Sequence, residues 1–191
     1  MKITGEQVQQ FWLYMSKKYK FEVVDKNNAI EMKLVAWALE QMGIMNEQSF
    51  LAGYSTTVSL GNIRKVYVPF DIGKGNPNDL KNQILICGHE TKHVVQGQQD
   101  RRFLLKYLGS DTARAYYEMD ALRVDMELAY FLSGKCPNPR TLANKLIWYS
   151  IEAPDRRTVE KHLKAAKKIV ERGGVFTGIS KDAIRWWKKK L

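Results

Sequence analysis

The sequence predicts an α+β fold that is mainly helical: two packed core helices, one small antiparallel sheet or hairpin, and a basic helical segment at the C-terminal end. Apolar residues recur at helical spacing along most of the 191-residue chain. One stretch of β-branched and aromatic residues surrounds a Gly-Asn pair. The apolar content of 45% is enough for a sizeable core, which favours one ordinary domain.

Two helices are predicted before the sheet. Thr4 followed by Gln7 is a capping-box pattern, and the apolar residues after it recur at helical spacing, so the first helix covers residues 5–20. A second helix covers residues 28–42 and stops at Gly43. Both are expected in the core. The apolar stripe of the second helix consists of Ile30, Leu34, Trp37, Ala38 and Met42.

The segment YSTTVSLGNIRKVYVPF is the strongest strand signal in the chain. Its β-branched and aromatic residues lie on either side of Gly61-Asn62, a pair that suits a two-residue hairpin turn. The loop DIGKGNPND follows, and the next apolar series marks one face of a helix over residues 79–97. The hairpin is therefore expected next to a long helix.

The remainder of the chain is predicted to be helical. A short segment over residues 99–108 ends at Gly109, and Ser110 caps a long helix that runs to about residue 133. Pro139 and Pro154 open two further helices, and Ser180 caps a final one whose two tryptophans dock on the core. The ranges of the two proline-initiated helices are 139–150 and 155–172.

The positive charge is concentrated at one end of the chain. Residues 1–134 carry 16 Lys/Arg and 15 Asp/Glu, whereas residues 135–191 carry 15 Lys/Arg and only 5 Asp/Glu. The sequence thus predicts a core over residues 1–134 and a basic helical segment over 135–191 packed on the same domain. Such a segment favours a polyanionic partner, such as nucleic acid, although solvated lysine faces are the alternative.

Composition excludes several other classes of protein. No apolar run is long enough to span a membrane, and the N-terminal residues lack the pattern of a signal peptide. Cys87 and Cys136 are too few for a disulfide framework, so both are expected to be reduced, buried thiols. The expected location is the cytoplasm, or a phage or secreted assembly.

The segment ICGHETKHVVQGQ carries the most informative motif. His89 and His93 are four residues apart on a predicted helix, so both imidazoles can reach one metal ion. Glu90 lies beside them and could take a proton from a metal-bound water. One zinc ion is the predicted cofactor. The alternative is two exposed histidines that share a helix face with an ordinary surface glutamate.

A third ligand is expected from the later segment RAYYEMDALRVDMELAYF. Glu118 and Asp125 share one face of that helix, so we expect Glu118 to be the ligand and Asp125 to orient a ligand imidazole. Asp120 is the fallback ligand. His162 lies in a lysine-rich segment that is more typical of a solvated face.

Together, GHETKHVVQGQ and YYEMDALRVD resemble the gluzincin-type metallopeptidases, in particular a small bacterial and phage-associated branch with the pattern HExxHVxQ followed by YEx[DE]A. The resemblance covers about residues 63–126, one third of the chain. It implies that two histidines and the later glutamate bind zinc and that the motif glutamate is the general base. These roles carry over to His89, His93, Glu118 and Glu90.

The resemblance also suggests how a substrate would be held. In such enzymes a strand beside the cleft binds an extended peptide, and the segment KVYVPF, with Val66, Tyr67 and Val68, is the expected strand, although a plain core strand is equally compatible. Leu122 stands where the better-known form of the second motif has an aspartate. The candidate donors to an oxyanion are Tyr116, Tyr117, Arg114 and His162.

The resulting hypothesis is a zinc metallopeptidase that hydrolyses amide bonds in a peptide or protein substrate, with Glu90 as the base. The alternative is a non-catalytic basic module that binds nucleic acid or another polyanion through residues 135–191.

Overall fold

The computed structural model confirms a mainly helical α+β protein with one small sheet. It describes residues 3–29, 32–33, 40–41, 55–60 and 62–190. All five residues of the apolar stripe predicted for helix 28–42 lie outside the described residues.

Helix α1 (Gly5–Tyr19) begins at the predicted capping box. The Thr4 hydroxyl accepts a hydrogen bond from the Gln7 backbone N–H at 3.2 Å, and the Gln7 side chain accepts one from the Thr4 N–H at 3.0 Å. The helix ends at Lys20, which has a left-handed φ of 58°. Its buried residues are Val8, Phe11, Trp12 and Met15.

Three strands form a mixed sheet in the order β1-β3-β2, with β1 at Glu22–Asp25, β2 at Thr56–Leu60 and β3 at Ile63–Val68. Strands β2 and β3 are antiparallel and are separated by two residues, as the hairpin prediction requires. Strand β1 pairs with β3 in parallel, so the sheet is mixed and not purely antiparallel. A parallel partner is joined by a long connection, and no local turn pattern predicts it.

Three helices follow the sheet: α2 (Pro77–Gln99), α3 (Phe103–Gly109) and α4 (Asp111–Ser133). The Asn76 side chain caps α2 by accepting hydrogen bonds from the first-turn N–H groups. Ser110 caps α4, as predicted, and Gly134 ends it with a φ of 69°.

The basic segment contains α5 (Pro139–Asn144), a 3₁₀ turn (Lys145–Tyr149), α6 (Ala153–Val170) and α7 (Gly178–Lys188). The cap of α7 is Thr177 rather than the predicted Ser180, which lies inside the helix and donates its N–H to the Thr177 hydroxyl at 3.2 Å. The physical reason is a contact with α4, because the Glu127 carboxylate accepts hydrogen bonds from the Phe176 N–H at 2.8 Å and from Thr177.

Helix α4 lies between two apolar clusters. One face of α4 belongs to the apolar cluster that also includes residues of α1, α2, α7 and the sheet, and another face belongs to the cluster that includes residues of α5 and α6. The first face carries Val124, Leu128 and Leu132, and the second carries Ala115, Met119, Leu122 and Met126. A helix that is buried on most sides is apolar around most of its circumference, as α4 is.

Both cysteines are free thiols; Cys87 is buried and Cys136 is half-buried. Among the described residues, no helix combines the length and the apolar character needed to cross a bilayer.

Helices α2 and α4 are in close contact at Gly88. A Cβ atom placed on Gly88 would lie 2.5 Å from Leu128 Cδ1 and 3.0 Å from Val124 Cγ1, well inside van der Waals contact. Because Gly88 directly precedes His89, this contact sets the distance between the histidine helix and α4.

Gly88→Ala adds a methyl group that must displace α4 side chains, at a cost of about 1–3 kcal/mol. Alanine also gains about 1 kcal/mol over glycine inside a helix, so we expect a net loss of up to about 2 kcal/mol in the free energy of unfolding. Urea unfolding measures this change, and Gly178→Ala is the control, since a Cβ at Gly178 meets no atom within 4 Å. A Gly88→Ala variant more stable than the wild type by the full helix-propensity gain would contradict the close contact.

Candidate metal centre

Two histidines from α2 direct the same ring atom to one point. His89 and His93 are one turn apart, and their Nε2 atoms lie 3.2 Å from each other. Residues four apart on a helix share a face, so local geometry alone brings these two groups together. His93 is buried, whereas the His89 side chain is 14% exposed, so the centre can be reached from the His89 side.

Helix α4 adds the predicted carboxylate. Glu118 Oε2 lies 3.4 Å from His89 Nε2, and Glu118 Oε1 lies 3.3 Å from His93 Nε2. The three ligand atoms lie within 4.8 Å of one another, so this group could hold a metal ion. Within the described residues it is the one group of three or more His, Cys, Asp or Glu side chains that meets this geometry.

The two histidines and Glu118 shift one another's pKa values. Burial lowers the pKa of His89, but Asp125 and Glu118 outweigh burial and hold that pKa well above its usual value. The pKa of His93 is raised by Glu118 against the same effect of burial. Burial would raise the pKa of Glu118, but the two imidazoles hold it below its usual range. The centre therefore stabilises positive charge next to a carboxylate.

Two side chains orient the imidazoles by contacting their Nδ1 atoms. His89 Nδ1 lies 3.0 Å from Asp125 Oδ2, as predicted for an orienting carboxylate, and His93 Nδ1 lies 2.8 Å from Gln96 Oε1. With Nδ1 donating to these oxygens, each Nε2 keeps its lone pair for a metal ion. Gln96 also donates from Nε2 to the Tyr117 carbonyl at 3.0 Å, so it joins the His93 ring to the residue before Glu118.

Tyr107 on α3 holds the ligand carboxylate. Its hydroxyl donates to Glu118 Oε1 at 2.5 Å, and its ring packs edge-on against His93 with 5.9 Å between centroids. Burial and the Glu118 charge raise the pKa of Tyr107 well above its usual value, so the phenol keeps its proton. Arg114 fixes the end of α3 by donating to the Tyr107 carbonyl at 2.8 Å.

Glu90 is buried between α2 and the sheet. The Thr57 hydroxyl on β2 donates to Glu90 Oε2 at 2.7 Å. The neighbouring Thr56 accepts a hydrogen bond from the buried Lys26 ammonium at 2.9 Å. Burial lowers the pKa of Lys26 to about 8, against the opposing charge of Glu90. Strand β2 and Lys26 thus place a hydroxyl and a cation near this carboxylate.

The remaining predicted site residues lie elsewhere. Asp120 forms ion pairs with Lys92 at 3.4 Å and with Arg123 at 3.0 Å and is not part of the ligand group. The Tyr117 hydroxyl donates to Asp100 at 3.1 Å, so only its carbonyl supports the centre. The side chains of Tyr116 and His162 are exposed. The Arg114 side chain is engaged with α3, where it donates to the Tyr107 carbonyl.

Strand β3 is not the free strand that Val66, Tyr67 and Val68 were expected to provide. It is the middle strand, and it pairs with β1 on one side and β2 on the other. Its main-chain groups are therefore already engaged. The prediction of a substrate strand at these residues is corrected for this reason.

Three residues of the centre received no role from the sequence: Gln96, Tyr107 and Thr57. Gln96 is the last residue of the HExxHVxQ pattern, and because it follows His93 by three residues, its place on the same helix face could have indicated its role. Tyr107 and Thr57 come from other elements, and no local spacing relates them to the histidines. Only the packing of α3 and β2 against α2 brings them to the centre.

Comparison of the chain with protein-family models, with curated proteins and with solved structures gave no match.

We expect Gln96→Ala to weaken metal binding by about 10- to 100-fold, because His93 loses the partner that orients its ring. Competition with a chromophoric chelator measures the affinity. Gln99→Ala is the matched control, since Gln99 is exposed on the same helix. The orienting role would be refuted by equal affinities of the two variants.

Proposed function

We propose that this protein is a zinc-dependent peptidase of the gluzincin type, with one zinc ion held by His89, His93 and Glu118 and with Glu90 as the general base. The observation that carries the proposal is the convergence of the His89, His93 and Glu118 ligand atoms from two helices. Glu90 follows His89 directly, and its buried carboxylate charge acts on His93.

The ligand atoms are close enough to share one ion. The two Nε2 atoms lie 3.2 Å apart, and each lies near a different oxygen of the Glu118 carboxylate, His93 at 3.3 Å from Oε1 and His89 at 3.4 Å from Oε2. Two imidazoles and one carboxylate are also a donor set of catalytic zinc sites, which keep a fourth position for water or substrate.

The chemistry divides between the ion and the chain. A zinc ion held by His89, His93 and Glu118 would lower the pKa of a water ligand to about 7 and would polarise the carbonyl of the scissile amide. Glu90 would accept a proton from the attacking water and later donate it to the leaving amine. Thr57 holds Oε2 of Glu90, and Oε1 accepts no hydrogen bond within the described part of the chain. One oxygen of the base is thus fixed while the other can receive a proton.

Strand β2 is the better candidate for holding an extended peptide. Among the described strands it pairs only with β3, so it forms one edge of the sheet. Its Thr57 contacts Glu90, which places this edge beside the proposed base. A peptide that added to β2 through main-chain hydrogen bonds would bring its carbonyl groups toward the centre.

Glu90→Gln tests the proposed base. The variant should retain one equivalent of zinc, because Glu90 is not a ligand, and should lose hydrolysis of a pool of internally quenched peptides. Elemental analysis measures the zinc, and fluorescence measures the cleavage. The companion variant His93→Ala should lose the zinc as well. Zinc retained by His93→Ala at one equivalent, or cleavage retained by Glu90→Gln, would overturn the assignment.

Thr57→Val tests how the base is held. Loss of a hydrogen bond to a charged group should lower kcat/KM by about 10- to 100-fold while leaving the zinc content unchanged. Thr57→Ser is the matched control, since it keeps the hydroxyl and should retain most of the activity. If the valine variant were as active as the serine variant, the hydroxyl would have no part in positioning Glu90.

A further inference from the structure

The exposed face of α7 carries a row of cations along a shallow groove. The cations lie on one side of the last helix and at its end: Lys181, Arg185, Lys188 and Lys189. Val175 and Ile184 form the apolar part of the lining. The groove has a volume of about 410 Å³. Four basic side chains therefore face the same strip of solvent.

Most of these cations form no ion pair with a neighbouring acidic side chain in the part of the chain that the structure describes. On α6, two lysines pair with nearby acids, Lys164 with Glu160 at 2.7 Å and Lys167 with Glu171 at 3.6 Å. Within the part of the chain that the structure describes, no such ion pair involves Lys181, Lys188 or Lys189.

The fourth cation of the row is only weakly paired. Arg185 lies 3.7 Å from Asp182, and that carboxylate also pairs with Lys18 at 3.0 Å. The Tyr19 hydroxyl donates to the same carboxylate at 2.9 Å. Asp182 thus belongs mainly to the contact between α7 and α1, and the outer face of α7 keeps a local excess of positive charge.

The opposite face of α7 is already buried. Ile179, Ala183 and Trp187 belong to the apolar cluster that α7 shares with α1 and α2. A helix that binds a bilayer surface needs an apolar face that can enter the lipid, and α7 has no such face to offer. Glu127 also holds the first turn of α7 on α4, so the row of cations is presented in one orientation.

We propose that the outer face of α7 binds the phosphate backbone of a nucleic acid, an activity beyond the peptidase function. Lys181 and Lys189 are eight residues apart, so the row extends about 12 Å along the helix. Duplex DNA carries about one charge per 1.7 Å of its axis, or about seven charges over that length. An extended peptide presents at most about one charge per 3.3 Å, so it matches the four cations only when nearly every residue is acidic. A nucleic acid carries this charge whatever its sequence, which favours it as the partner.

The test is binding of the 191-residue chain to a fluorescent DNA duplex across a salt series. The α7 variant replaces Lys181, Arg185, Lys188 and Lys189 with Gln. We expect it to lose at least 10-fold in affinity at low salt, and the slope of log K against log salt to become shallower by about 3 to 4. Urea unfolding checks that the variant is folded, and the Glu90→Gln protein should bind as the wild type does.

The matched control removes the same charge from α6 by replacing Arg157, Lys161, Lys168 and Arg172 with Gln. These side chains are exposed, so the control should keep most of the affinity and of the salt slope. Equal losses in the two variants would show attraction by net charge alone and overturn the assignment to α7. Absence of DNA binding at low salt would also overturn it. So would binding to phosphatidylserine vesicles or to polyglutamate that depends on α7 and is as tight as binding to DNA.

Discussion

The contact between α2 and α4 at Gly88 is the constraint on which the centre depends. Because Gly88 has no side chain, Leu128 and Val124 can lie against the α2 backbone one residue before His89. The two helices are then close enough for Glu118 to meet both imidazoles at hydrogen-bonding range. A wider separation would leave a buried carboxylate without its partners, which is a costly arrangement in an apolar interior.

The buried polar groups are stable there because each has a hydrogen-bond partner, in most cases from another element. Glu118 accepts from Tyr107 on α3, and the rings of His89 and His93 are held by Asp125 and Gln96. Such a network keeps the ligand atoms in place before an ion or a substrate arrives, so little reorganisation is needed on binding. It also explains why the short helix α3 matters: it supplies the hydroxyl that orients the ligand carboxylate.

Helix α4 links the centre to the basic surface. Glu118 lies in the first half of α4, and Glu127, about two and a half turns later, accepts the hydrogen bonds that start α7. The proposed ligand carboxylate and the contact that holds α7 therefore belong to the same buried helix, and apolar clusters pack on two of its faces. A nucleic acid bound to α7 would hold the proposed peptidase centre at a defined place relative to that polymer.

Local spacing in the sequence determined which side chains of one helix act together. The pairs His89 with His93 and Glu118 with Asp125 follow from the helical repeat, and so do the caps at Thr4 and Ser110. Tertiary structure decided what meets across elements: the parallel pairing of β1, the central position of β3, and the arrival of Thr57 and Tyr107 at the centre. It also decided that Thr177 caps α7, because the Glu127 carboxylate holds this residue by hydrogen bonds. Among the described residues, the lysines of α7 form no ion pair. The physical reason is that the helical repeat is local, whereas these contacts join residues far apart in the chain.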